Sequence, residues 1–360
     1  MKATLILENG VTFQGESIGA VGERMCEMVF NTSMAGYQEI LSDPAYAGQG
    51  VVMSYPLIGN VGVNGADNES ERPWVEAVVV RHLSPRGSNF RCEGTLDDYL
   101  KQYDIVGISG VDTRALTRIL RSQGAMNGMI TCAEHFHVER VVEQLKAHRL
   151  TGKVAQVSCQ EARTLEPEQT AVCHVAVLDY GVGKNLLNSL LRRGCRVTVL
   201  PAHTPAETVL AGGYSGVLLS PGPGDPTESA QFLAEVKRLY DSQLPLLGIG
   251  LGHQMLALAT GARITRLDYG HRGANVPVRD LERGKVFITA QNHGYVVEGN
   301  SVTPEVARIS HVNVNDGTVE GLCYQRPNCF TLQFHPEANG GPREMEYLFD
   351  RFVSCMGGEG

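Results

Sequence analysis

Three short motifs in the second half of the chain carry residue types that could do chemistry together. "LQFHPE" (332–337) ends an apolar run with His335 and sets a carboxylate, Glu337, two residues further on. A histidine so placed can act as a general base while the carboxylate orients its ring. "LLSPGPGDP" (218–226) interleaves glycine with proline, a rigid turn whose backbone N–H groups can face outward to cradle an oxyanion or carboxylate. "LPLLGIGLGHQ" (244–254) has the form of a nucleophile elbow. In such an elbow the flanking glycines allow close strand–helix packing around a strained central residue. The central residue here is Gly250, which has no side chain. A dinucleotide-binding G-x-G-x-x-G reading fails, because its sixth position is His253 and the strand comes late in the domain. Taken singly, each motif also fits a plain structural part: a tight turn, a glycine turn, a core histidine.

Such residues work only if strands and helices place them. From residue 172 short apolar runs such as "HVAVLDYG", "RVTVLP", "SGVLLS" and "LPLLGIG" alternate with helical stretches such as "KNLLNSLLRRG", "SAQFLAEVKRLYDS" and "LGHQMLALATG". Runs apolar throughout suit strands buried on both faces of a parallel sheet. Their alternation with helices suits right-handed βαβ units. Residues 172–357 are therefore expected to form a doubly wound α/β domain, in which chemistry collects outside the carboxyl ends of the strands. All three motifs stand where a strand finishes. Residues 1–150 mix short alternating strands with turns, an N-terminal mixed β/α domain. In "RALTRILRSQG" Leu116, Ile119 and Leu120 share one face before a glycine stop, and "VERVVEQLKAH" predicts a second helix. Residues 151–171, with the polar, acidic "SCQEARTLEPEQT", read as the linker.

The bulk composition excludes several function classes. A net charge of −8 without a Lys/Arg-rich run argues against nucleic acid or an anionic membrane surface as partner. No apolar tract reaches the length of roughly 18 residues that a bilayer span needs. The opening "MKATLILENGVTFQG" lacks the apolar core and cleavage site of a signal peptide, so a cytoplasmic location is expected. Nine cysteines, an odd number with no C-x-x-C pair and no zinc spacing, read as small buried hydrophobes in a reducing compartment, with no metal site. "NTS" at Asn31 and "NES" at Asn68 are chance glycosylation patterns without secretion.

In this order and spacing the three motifs together resemble the class I glutamine amidotransferase domain, which hydrolyses glutamine with a Cys–His–Glu triad. The first half sharpens the likeness. "VFNTSMAGYQEILSDPAY", "YPLIGNVGVN", "SNFR" and "GVDTRALTRILR" are similar to the small subunit of carbamoyl phosphate synthase, as is "AQNHGY" (290–295). The resemblance runs from about residue 3 to residue 353. It implies a flavodoxin-like second domain that releases ammonia from glutamine. The ammonia would pass through a tunnel to a large subunit, which uses bicarbonate, ATP and Mg to make carbamoyl phosphate for pyrimidine and arginine biosynthesis. No cofactor is implied in this chain. Carried over by residue, His335 would be base and leaving-group acid, Glu337 would orient it, and the N–H groups of Gly222 and Leu251 would hold the oxyanion. Gln254, Asn292, Gly294, Tyr295 and Gly224 would line the glutamine pocket, together with position 45.

Three positions depart from that pattern. Gly250 stands where the family has its Cys nucleophile, Ala45 where a Ser hydroxyl usually helps hold glutamine, and Pro221 where Asn is usual. Without sulfur no thioester can form, and loss of a triad nucleophile typically costs on the order of 10⁶ in turnover. No other cysteine stands at a strand-end turn; Cys329 lies at the far end of the strand that leads to His335. Glycine also relieves the backbone strain of such a bend, about 1–3 kcal/mol, so the domain should be intact. Three readings stay open: a glutamine-hydrolysing subunit as the family implies, a non-catalytic structural or regulatory partner of an ammonia-dependent synthase, and a nucleophile engineered away.

Overall fold

The computed structural model describes residues 1–338 and 340–357. They form two compact units: residues 1–150 with 268–273, and residues 151–267 with 274 onward.

In the first unit seven strands close into a barrel. Lys2–Leu7 pairs antiparallel with Thr12–Gly19 on one side and with Met126–Thr131 on the other, so no edge is left open. Alternate side chains point inward. Ala3, Leu5 and Leu7 meet Cys26, Met28 and Phe30 in one apolar cluster with Val79, Ile108 and Ile130. Helix Thr113–Gln123 buries Leu116 and Leu120 against this cluster, and Asp112 caps it by accepting the N–H of Ala115. Helix Val138–Ala147 follows, as its periodicity predicts. The segment 268–273, from the long strand Ile264–Asp280, was not foreseen as part of this unit: Tyr269 stacks on Phe30, and the Arg272 carbonyl accepts the N–H of Thr32.

The second unit is the doubly wound domain. Five parallel strands run in the order Cys195–Pro201, Cys173–Asp179, Gly216–Leu219, Leu246–Ile249, Cys329–Leu332. By sequence this is 2-1-3-4-5, the flavodoxin-like arrangement. Alternation along each strand feeds two separate cores. Ala176, Leu178, Val217, Leu219 and Leu246 face helices Ala206–Ala211, Ala230–Asp241 and Leu251–Ala259. Val175, Val177, Leu218, Leu247 and Ile249 face helices Lys184–Leu191 and Tyr347–Cys355. Covered on both faces, these strands keep only scattered polar positions, such as the buried Thr198 and Thr331, which is why they read as nearly continuous apolar runs. Antiparallel strands extend the sheet beyond Cys329–Leu332.

The segment expected to be a linker is built into this unit. It carries helix Lys153–Val157 and strand Arg163–Leu165, which pairs antiparallel with Cys195–Pro201 and edges the sheet. Three residues of strand are too few for a legible alternation, and the pairing is held by the backbone and by a Thr164–Thr198 hydroxyl contact of 2.8 Å. No helix among the described residues is long and apolar enough to cross a membrane.

Leu247 sits at the centre of the sheet with no exposed surface. Leu247→Ala should lower the stability of the second unit by about 2–5 kcal/mol, read as a lower denaturant midpoint at unchanged slope.

Candidate functional site

The elbow is formed as its sequence predicts. Strand Leu246–Ile249 ends at Gly250, whose φ of 56° and ψ of −114° turn the chain sharply into helix Leu251–Ala259. The bend is fastened on two sides: the N–H of Gly250 donates to the Leu332 carbonyl at 2.9 Å, and that of Gly252 to the Ser220 carbonyl at 3.1 Å. At Gly252 the helix passes so close to the neighbouring strand that a Cβ would collide with the Leu219 carbonyl. Gly250 is different. A Cβ there would meet no backbone carbonyl, but would stand 3.3 Å from Cβ and 3.4 Å from Cα of Pro221. These two are atoms that any residue but glycine would set there; the next ring atom, Cγ, lies 3.8 Å away, in ordinary contact.

The cradle Pro221–Gly224 follows strand Gly216–Leu219 and lies against the elbow. A Cβ on Gly222 would collide with the Tyr180 carbonyl and come within 2.9 Å of Leu251. Gly222 and Leu251, the two expected oxyanion donors, are thus neighbours. The N–H of Gly222 has no acceptor among the described residues. Leu251 begins its helix, where backbone donors have no intrahelical partner. Gly224 follows with φ of 89°.

His335 and Glu337 leave the sheet at the same carboxyl end, from the strand paired in register with the elbow strand, Ile249 opposite Leu332. Nδ1 of His335 lies 2.9 Å from Oε1 of Glu337, and both residues are buried. With Glu337 ionised, Nδ1 carries the proton and Nε2 becomes the basic nitrogen. The His335 N–H donates to the Ala290 carbonyl at 2.9 Å, which fixes the backbone of the pair.

Asn292, Gly294 and Tyr295 lie on strand Lys285–Val297. Gln254 Nε2 donates to the Tyr295 carbonyl at 2.9 Å and to Gln333 Oε1 at 3.0 Å, so its amide ties the elbow helix to this strand. Nδ2 of Asn292 is buried without a partner among the described residues, a donor left over for something else. Ala45 lies in the first unit, in the turn Pro44–Tyr46 capped by Asp43. The backbone of the second unit brings the other expected positions to one end of its sheet.

Sequence reasoning missed three contributors. Asp225 accepts the Tyr295 hydroxyl at 2.9 Å through Oδ2, while its Oδ1 takes the N–H and hydroxyl of Thr227. It thereby fastens the cradle to the pocket strand; an acidic residue in a Gly-Asp-Pro turn was the available signal. Gln333 gives no such signal, since a polar residue in a strand tail has no period to betray it. His253, fully buried, bonds Thr331 Oγ1 through Nδ1 at 2.7 Å. Burial in apolar surroundings pushes its pKa down to about 3, so it is a neutral structural group.

Comparison with known proteins agrees with this geometry. Residues 5–130 match the family model "Carbamoyl-phosphate synthase small chain, CPSase domain", and residues 176–355 match "Glutamine amidotransferase class-I". The chain is 46% identical over 353 residues to the carbamoyl phosphate synthase small chain of Clostridium perfringens, covering 98% of this chain and 99% of that one. It is 46% identical over 374 residues to that of Syntrophotalea carbinolica, covering 99% and 98%. It is 43% identical over 357 residues to the pyrimidine-specific small chain of Bacillus subtilis, covering 99% and 96%.

Two outcomes follow. Gly252→Ala should destabilise the unit far more than Gly250→Ala, because the first meets an immovable carbonyl and the second only a strained φ and a proline ring; thermal melts of both variants compare them directly. Because His253 has a folded pKa depressed below the unfolded value near 6.5, the unfolded state binds the extra proton between about pH 6.5 and pH 3. Stability should fall with pH across that window, by up to about 1.4 kcal/mol per unit from this group. His253→Asn should flatten the slope of unfolding free energy against pH.

Proposed function

This chain belongs to the carbamoyl phosphate synthase small-chain family, and on that footing we propose that it is a small subunit that no longer hydrolyses glutamine. Its large-subunit partner would take free ammonia, and the chain's task would be to dock on that partner and keep its ammonia entrance structured. One observation carries this reading: the bend, fastened on two sides as an elbow that presents a nucleophile would be, has Gly250 at its apex and so no thiol. Pro221, the second departure, lies beside that apex.

The remaining machinery supports binding and positioning but not covalent chemistry. His335, held by Glu337, would accept a proton from a nucleophile and return it to the leaving amine, but there is no nucleophile to deprotonate. The N–H groups of Gly222 and Leu251 would stabilise an oxyanion that never forms at a useful rate. Loss of the nucleophile accounts for about 10⁶ in turnover, far more than the cradle can make up. A single engineered replacement would explain Gly250 but would leave Pro221 and Ala45 as coincidences.

Both units are folded: two cores in the second, a closed barrel in the first. Neither feature takes part in thiol chemistry, and both would serve a docking scaffold.

Paired with its large subunit, the chain should support carbamoyl phosphate synthesis with ammonium and give no more than background with glutamine at matched concentration. Glutamine-dependent synthesis abolished by thiol alkylation would sink the proposal. Gly250→Cys alone should restore little, because Pro221 and Ala45 still depart from the family's glutamine-site pattern. Adding Pro221→Asn should raise glutaminase turnover at least tenfold over the single variant, and Ala45→Ser, the third change the family pattern indicates, should act mainly on KM.

A further inference from the structure

Away from the elbow, at the amino end of the same parallel sheet, Cys173 and Cys195 stand directly opposite each other on adjacent strands. Their sulfurs are 3.4 Å apart, and both are free thiols. Cys195 is fully buried; Cys173, the first residue of its strand, keeps 7% of its surface exposed. Register at this point is held from both directions. The Val172 N–H donates to the Gly194 carbonyl at 2.9 Å just before the pair, and Val175 faces Val197 just after it. Neighbouring strands lie about 4.7–4.9 Å apart, inside the range of about 4.4–6.8 Å that a disulfide spans between Cα atoms. Among the described residues no other two cysteines are in thiol contact.

We infer that Cys173 and Cys195 form a redox-closed staple across the two strands, with a hydroperoxide as the oxidant. The two thiols are not equivalent. The two sulfurs are in hydrogen-bond contact, and this contact with Cys195 favours the Cys173 thiolate and holds its pKa down against the opposing effect of burial. The same contact, with burial, drives the Cys195 thiol upward. Cys173 is therefore both the better nucleophile and the exposed one. Its thiolate attacks the peroxide O–O bond, giving a sulfenic acid and, with hydrogen peroxide, one water. The Cys195 sulfur then displaces hydroxide from that sulfenic sulfur, forming the S–S bond and, with the thiol proton, a second water. Two electrons pass from the pair of thiols to one peroxide, and a dithiol reductant reverses the change.

The bond would close a loop with ends 22 positions apart and would leave the carboxyl-end cradle untouched. Its effect is on the sheet: it locks the strand that enters from the 158–170 segment to the strand that segment also pairs with.

The test uses the full-length chain, treated with hydrogen peroxide, denatured, alkylated and mapped by mass without reduction. The expected result is a peptide pair linked through Cys173 and Cys195, two hydrogens lighter than the sum of its parts, lost on treatment with dithiothreitol. The thermal midpoint of the oxidised chain should rise by roughly 5–10 °C for a loop of this size, and Cys195→Ala should show neither the link nor the rise. Recovery of both thiols alkylated after peroxide, or Cys173 as sulfinic acid beside a free Cys195, overturns the inference. The map of the unaltered chain decides by itself, whatever the stability of the variant.

Discussion

A strand, a reversal and a helix packed within one carbonyl's reach of the next strand set the terms for the second unit. Helix Leu251–Ala259 can lie against strand Gly216–Leu219 only because Gly252 has no Cβ to strike the Leu219 carbonyl. That contact positions Leu251 beside Gly222, and it aims the helix so that Gln254 reaches the pocket strand. The positive φ at Gly250 is the geometric consequence: a chain leaving one strand and returning that close must pass through a left-handed turn. In a relative with a thiol at the apex, the surrounding sheet must hold an L-residue in that strained state. Here the constraint persists while the strain is gone.

This separates what the sequence made legible from what it did not. The apolar runs, the elbow glycines and the order of turn, elbow and His–Glu motif follow periods or spacings that a linear reading can detect, and the doubly wound sheet and the His335–Glu337 contact are where they point. Elements shorter than one period escaped. Strand Arg163–Leu165 has three residues and is stabilised by a neighbour some thirty positions away, so its polar composition reads as linker. Residues 268–273 join the first unit across more than a hundred positions, through Tyr269 on Phe30. Asp225, Gln333 and His253 work through partners that only the fold brings near. The nearness of Pro221 to Gly250 is of the same kind: both departures are visible in the sequence, their proximity is not.

Retention of the His335–Glu337 pair needs its own physical account, since buried charge is costly without a use. Part of the answer lies in the backbone. His335 donates its N–H to Ala290, and its carbonyl takes the N–H of Ala338 at 3.2 Å, so the segment bridges two elements whatever the ring does. Removing the histidine alone would take away the partner of the buried Glu337 Oε1, a loss that keeping both avoids. A matched buried pair is therefore costly to lose whether or not the reaction it fits still runs.

The three departures are not equally close to the apex. Pro221 lies beside it, but the atoms that approach the Gly250 position most closely are its Cα and Cβ, which any residue but glycine would set there, so the contact does not make one change depend on the other. Ala45 lies in the first unit, and what joins it to the other two is a shared function. If that function is glutamine hydrolysis, relaxation at all three needs no further cause than a synthase that draws its nitrogen elsewhere.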